Sequence, residues 1–198
     1  VNQVETRLLL FDGAAAPRAL AGLPATAIGA AEEVDAVLDG TRRLIVVGAD
    51  AALATVLSRL LRADRLDIEV AHVTSRRRAA RALSGTAREV PLIRDETGTV
   101  LVGAATWRGA DGLLHGEAVV DDTVLFDGRV RGVRVESLAE LPGLRARVTG
   151  RLRRRWVTGR AAQLGCTGAL VTRDGVAAPR RVRRFAFYRH IQGWLQVR

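Results

Sequence analysis

Asp50 and the run Thr74-Ser75-Arg76-Arg77-Arg78 are the side chains of this sequence best suited to phosphate chemistry. A carboxylate just past Gly48 could serve as a catalytic or nucleotide-side group. Two hydroxyls followed by three guanidinium groups could hold phosphate oxygens, which arginine grips bidentately. Asp50 has a second reading, because an Asp after Gly at a strand end is a common N-cap for the helix that follows. Asp121-Asp122 with Asp127 and Glu117 forms an acidic cluster able to ligate a divalent cation in a cleft, but neighbouring strand residues point to opposite faces, so turn and solvent roles fit most of them. His72, His115 and His190 lack His-x-x-x-His spacing, which argues against a shared metal site.

The phosphate-suited residues sit where strands pass into helices. Arg43-Leu44-Ile45-Val46-Val47 reads as a buried strand that stops at Gly48-Ala49-Asp50-Ala51-Ala52. Leu53, Val56, Leu57, Leu60 and Leu61 then fall at i, i+3, i+4, i+7 and i+8, one apolar stripe of a helix. A second strand, Ile68 to Val73, leads to Thr74-Ser75 as the predicted cap of an arginine-rich helix from Arg76 to Leu83. Gly48, Asp50, Thr74, Ser75, Arg76, Arg77 and Arg78 are thereby expected on one edge, beyond the carboxyl ends of strands, where open α/β sheets bind ligands.

These two turns resemble the diacylglycerol kinase and NAD kinase superfamily, in particular its bacterial lipid kinase branch. There a strand ends in Gly-Gly-Asp-Gly-Thr before a helix; here the place reads Gly48-Ala49-Asp50-Ala51-Ala52. The second signature, Pro-Leu-Gly-Thr-Gly-Asn-Asp followed by Phe-Ala-Arg-x-Leu, falls on His72 to Arg78 followed by Ala79-Ala80-Arg81-Ala82-Leu83. Gly48 and Asp50 match the first motif, and Ser75 could replace the threonine hydroxyl of the second. An Asp-Gly-Glu turn near the end of the family corresponds to Asp174-Gly175-Val176, with valine in place of the glutamate. The family's Asn-Pro turn after the first strand is absent at Asp12-Gly13. The resemblance implies an ATP- and magnesium-using fold in which glycines let main-chain amides approach phosphate at a helix start. Alanines at 49, 51 and 52 add Cβ atoms there, and if those positions need positive φ each costs on the order of 1 kcal/mol or more. The expectation is a degenerate lipid kinase-like protein with weak or lost ATP-dependent phosphoryl transfer, Asp50 being the surviving catalytic candidate. Binding of a nucleotide, a phospholipid or another anionic ligand would be retained at Gly48, Asp50 and Thr74 to Arg78. An active lipid or small-molecule kinase is the alternative.

Composition bounds these readings. The 198 residues are 48% hydrophobic and 26% charged, as in an ordinary globular protein, with a net charge of +10. Every basic residue other than histidine is arginine, so Walker A, Schiff-base and PLP chemistries, which need a lysine amine, are excluded. Arginine and alanine enrichment also fits a GC-rich genome. Cys166 alone forms no internal disulfide or cysteine zinc site, and a small buried role in a strand is expected. No apolar stretch approaches the roughly 20 residues of a membrane span, and no secretory leader pattern opens the chain, so a cytoplasmic location is expected. Residues 1–75 are mildly acidic, and the excess of arginine lies in 76–198.

Along the chain, Arg7 to Phe11 is a first strand, Ala14 to Leu20 a short helix, and Ala31 to Leu38 another with Gly40 as its stop. Residues 1–90 therefore read as a doubly wound, mainly parallel α/β half-domain of the nucleotide-binding kind. From Val90 onward period-two alternation takes over, with Asp111-Gly112, Asp127-Gly128 and Asp174-Gly175 as turn chemistry. Residues 91–198 are predicted to form an antiparallel β-sandwich-like or flattened-barrel domain, whose edge strand could pair with a second copy. Clusters at Arg76 to Arg81, Arg151 to Arg155 and Arg180 to Arg189 leave a nucleic-acid-binding module as a further reading. Trp156, Phe185, Phe187, Tyr188 and Trp194 are interleaved with the last two clusters, although no helix-turn-helix, zinc finger or RNP motif is visible.

Overall fold

The computed structural model describes residues 5–150 and 155–198, and the chain divides into one unit of Val1–Val90 with Gln192–Arg198 and another of Pro91–Ile191. In the first unit the strands are β1 (Thr6–Phe11), β2 (Ala25–Ile28), β3 (Arg43–Val47), β4 (Glu69–Val73) and β5 (Ala87–Val90). The helices are α1 (Asp50–Arg62) and α2 (Arg76–Ser84). The closing strand, Trp194–Val197, also belongs here. It runs parallel to β4 and antiparallel to β5, and the sheet order is β2, β1, β3, β4, closing strand, β5. β1, β2, β3 and β4 are mutually parallel, so their carboxyl ends share one edge.

The sheet is buried on both faces, as parallel sheets are. Leu8, Ile45, Val47, Ala71, Val73 and Val197 pack with Ala79 and Ala82 of α2 and with Leu20. The alternate residues Leu9, Leu44, Val46 and Val70 are buried as well. α1 hides Leu53, Val56, Leu57 and Leu60, the stripe expected from its spacing, while Leu61 stays half-exposed.

Local differences from expectation have identifiable causes. Of Ala14 to Leu20 only Arg18–Leu20 is helical, as a single 3-10 turn, because Pro17 takes an extended ψ of 142° just before it. The helix expected over Ala31 to Leu38 is present as a 3-10 helix, Ala31–Val37. β2 and β5 are too short and too exposed to carry an alternation signal.

The second unit is antiparallel. Its strands are β6 (Ile93–Asp95), β7 (Val100–Leu101), β8 (Ala104–Gly109), β9 (Leu114–Val120), β10 (Thr123–Val130) and β11 (Gly132–Ser137). They continue as β12 (Leu144–Thr149), β13 (Val157–Gly159), β14 (Ala161–Arg173), β15 (Val176–Ala177) and β16 (Val182–Arg189). β14 is the hub. Its first half pairs with β9, its second half with β8, and β16 runs along its other side. The core centres on Trp107, stacked on Phe187 at 6.1 Å, with Phe185 edge-on to Phe187 at 5.0 Å.

Asp127-Gly128 is not the turn its sequence suggests. It lies within β10 opposite Glu117-Gly116, and the hairpin turns instead at Asp121-Asp122, where Asp121 adopts φ 49°. Asp121 accepts the amides of Arg160 and Ala161, so the acidic cluster is broken up by backbone duty. No group of metal-ligating side chains occurs among the described residues. Cys166 is half-buried rather than buried, on β14, and burial raises its thiol pKa. Among the described residues no helix is long and apolar enough to cross a membrane.

Candidate functional site at the carboxyl ends of β3 and β4

β3 and β4 pair in register from Arg43 opposite Glu69 to Val47 opposite Val73. The two strands therefore end level, and the residues after them, Gly48-Ala49 and Thr74-Ser75, stand side by side at a strand spacing of roughly 5 Å. The His72 Nε2–H donates to the Gly48 carbonyl at 2.9 Å and fastens the two strand ends together. The turns that sequence alone pairs are thus brought together by the parallel register.

The first turn has a closed helical geometry. Ala49 is the N-cap, with φ −74° and ψ 177°, and its carbonyl accepts the amides of Ala52 and Leu53. Asp50 is accordingly the first residue of α1 and not its cap, which corrects the capping reading. The exposed carboxylate makes no hydrogen bond among the described residues, and its charge is favourable to the helix dipole. Ala51 and Ala52 lie inside α1, and none of the three alanines has positive φ. The expected strain is therefore absent: these residues stabilise an ordinary helix start. Gly48 is required for a different reason. A Cβ there would lie 2.7 Å from the Ala52 Cβ and 3.1 Å from the Phe11 Cβ.

At the second turn Ser75 occupies the N-cap position of α2, at φ −154° and ψ 159°. Its carbonyl accepts the amides of Arg78 and Ala79, but its hydroxyl makes no capping bond, contrary to the predicted side-chain cap. Thr74, Ser75, Arg77 and Arg78 are exposed. Arg76 opens the helix, and no acidic residue occupies the first turn. A helix start prefers anions, so arginines here are unfavourable to the helix itself. The turn consequently offers free hydroxyls, orphan amides and guanidinium groups to an anion.

The arginine that holds this arrangement in place is one the sequence does not single out. Arg43, at the start of β3, reaches the far end of α2 and donates to the carbonyls of Ala82 at 3.1 Å, Leu83 at 2.5 Å and Gly85 at 3.0 Å. Its Nε donates to Glu69 at 2.7 Å. A cation capping a helix C-terminus satisfies orphan carbonyls and complements the dipole. A separation of some 40 residues gives no local signal for this contact.

Other residues singled out from sequence have structural duties. Asp174 accepts the amides of Val102, Gly103 and Ala104, so its carboxylate is committed to the backbone, and Val176 is exposed on β15. Phe185, Phe187 and Trp194 are buried. Arg145 and Arg147 lie over the Trp156 ring at 4.3 and 4.5 Å, and Arg94 lies over Tyr188 at 4.4 Å. Arg151, Arg153 and Arg154 lie outside the described residues.

No protein-family model matches this sequence, and no curated protein matches it. Solved structures do. A diacylglycerol kinase from Bacillus anthracis str. Sterne superposes with a TM-score of 0.72 at 12% identity, covering 98% of this chain and 96% of that one. A second structure from the same organism, provisionally named a diacylglycerol kinase, gives 0.76 at 12% identity over 100% and 97%. An NAD kinase from Archaeoglobus fulgidus in complex with ATP gives 0.67 at 10% identity over 98% and 93%. A mixed, parallel-rich sheet and an antiparallel one, matched along the whole chain, give this protein the two-domain fold of the diacylglycerol kinase and NAD kinase structures.

Proposed function

We propose that this protein is a degenerate lipid kinase-like protein that binds a nucleotide or another phosphate-bearing anion at the ends of β3 and β4 with little or no phosphoryl transfer. The observation that carries this reading is the start of α1. Ala49 at φ −74° and Ala51 and Ala52 within the helix place methyl groups where a glycine-rich turn would leave the main chain open to phosphate. The second turn is suited to an anion, because its hydroxyls and the guanidinium groups of Arg77 and Arg78 are exposed.

ATP is the reasonable nucleotide, since the Archaeoglobus fulgidus NAD kinase of the same fold holds it. The donor set fits its phosphates, with Ser75, Arg77 and Arg78 as binding groups. Magnesium commonly takes one or two carboxylates plus substrate phosphates, and Asp50 is the single carboxylate of the two turns. Asp50 would be the residue to hold it, and the ion's charge would neutralise that of the phosphates. The chain's own contribution is to orient the anion through Ser75 and the arginines and to set Asp50 beside it. Asp50 also supports a second reading, an active kinase, because its carboxylate is exposed and uncommitted.

A radiolabelled ATP assay over diacylglycerol, related lipids and NAD, with magnesium, tests the proposal alongside thermal-shift titration with ATP. Binding without transfer is the expected result. Robust transfer that Asp50→Asn abolishes would overturn it in favour of the active kinase.

A further inference from the structure

Four arginines of the first unit have acidic partners: Arg7 with Glu5, Arg43 with Glu69, Arg59 with Asp35 and Arg65 with Asp67. The Arg59 hydrogen bond even holds the Asp35 carboxyl below its ordinary range. Arg65 in addition donates to the carbonyls of Leu38 and Thr41. The side chains of Arg78 and Arg81 make no ion pair or hydrogen bond among the described residues. They stand one turn apart on α2, at i and i+3, a spacing that sets both side chains on one side of the helix.

That side of α2 borders a groove of about 380 Å³ beside the strand-end turns, and the groove's other walls are His72 of β4 and the closing strand. Ala71, Ala82 and Val197 form its floor as buried core residues, while Arg78, Arg81 and Arg198 line it with positive charge. Arg198 donates its Nε to Gln196 and keeps its terminal nitrogens for another acceptor. Among the described residues no acidic side chain lines the groove. Three like charges around one concavity repel one another, and a dianion placed among them removes that repulsion while meeting planar donor forks that match phosphate geometry. The volume lies in the range of small-ligand sites.

We infer that the groove between α2 and the closing strand binds a phosphomonoester or diphosphate group, with Arg78, Arg81 and Arg198 on its oxygens. The group could be carried by a phospholipid headgroup or by a soluble phosphate compound. Arg78 is shared with the strand-end turn, but the groove does not require ATP to bind there.

Calorimetric titration of the full chain with inorganic phosphate, pyrophosphate, dihexanoyl phosphatidic acid and ATP tests the inference. Arg81→Gln is expected to weaken pyrophosphate binding about tenfold or more, as loss of a charged hydrogen-bonding partner does. Arg62→Gln, which removes the same charge away from the groove, should change it less than about twofold. Ser75→Ala should weaken pyrophosphate binding less than Arg81→Gln does, even where it weakens ATP more, which separates this inference from the strand-end reading. Tighter binding of the short-chain phosphatidic acid than of phosphate would assign the lipid source, and equal binding the soluble one. Absence of saturable pyrophosphate binding, equal losses in Arg81→Gln and Arg62→Gln, or a loss in Ser75→Ala alone would each overturn the inference. Thermal unfolding of each variant confirms that the protein tested is folded.

Discussion

Arg43 offers the sharpest test of how the site is held. Replacing it by methionine keeps the aliphatic stem but removes three donations to the last carbonyls of α2 and the contact with Glu69. The Arg43 side chain is 13% exposed and that of Glu69 31%, so water recovers part of the loss and the ion pair itself adds little. Charge-assisted bonds are worth about 1.5–3 kcal/mol singly, but three from one guanidinium share its desolvation, and a total near 3 kcal/mol is the reasonable sum. For a chain of this length that corresponds to a fall in Tm of about 6–12 °C. Because the bonds end on one helix, hydrogen exchange should localise the effect, with α2 amides exchanging up to about a hundredfold faster than in the parent and α1 amides little changed. Arg43→Lys should restore less than half of the loss, since an ammonium cannot span the same fork. A Tm drop below about 2 °C with unchanged α2 exchange would refute the assignment of Arg43 as the anchor of this helix.

Further outcomes follow from the same geometry. Gly48→Ala should destabilise by about 1–3 kcal/mol in chemical denaturation, because its Cβ would meet Ala52 at 2.7 Å, and the Gly48→Ala/Ala52→Gly double variant should recover part of that loss. Equal midpoints for parent and Gly48→Ala would contradict the packing. Asp95 is fully buried, accepts the Thr97 amide and hydroxyl and the Thr99 amide, and pairs with Arg173, so Asp95→Ala should cost about 3–5 kcal/mol by urea unfolding. A loss under about 1 kcal/mol would show that the pair and turn are not cooperating. Burial, then the nearby Arg94 charge, depress the pKa of His190 from its ordinary 6.5, and its Nδ1 accepts from Arg94 at 3.3 Å. Below about pH 6.5 the unfolded chain takes up a proton that the folded chain resists, so stability should fall as pH drops through the folded pKa. Denaturation midpoints at pH 7.5 and 5.5 should therefore differ more in the parent than in His190→Gln, and identical differences would remove His190 as the cause.

The strand-turn-helix stretch from Arg43 to Leu60 was determined locally: a run of branched residues, a glycine and a 3.6-residue apolar period leave one backbone solution. The same holds for the alternation that makes the second unit antiparallel. Tertiary structure decided what period-two alternation cannot encode, namely which strand pairs with which. Trp194–Val197 reads like any other late strand, yet it closes the first sheet between β4 and β5 rather than extending the second. Side-chain assignments made across long separations were equally hidden. Arg43 looks like one more arginine in an arginine-rich chain, and only folding brings it to the end of α2. Asp121 and Asp174 look like free carboxylates until the chain supplies amides from 39 and 70 or more residues away. The alanines at 49, 51 and 52 carry the same lesson in backbone form, since a residue's φ is set by the element it enters, and α1 begins early enough to take them in without strain.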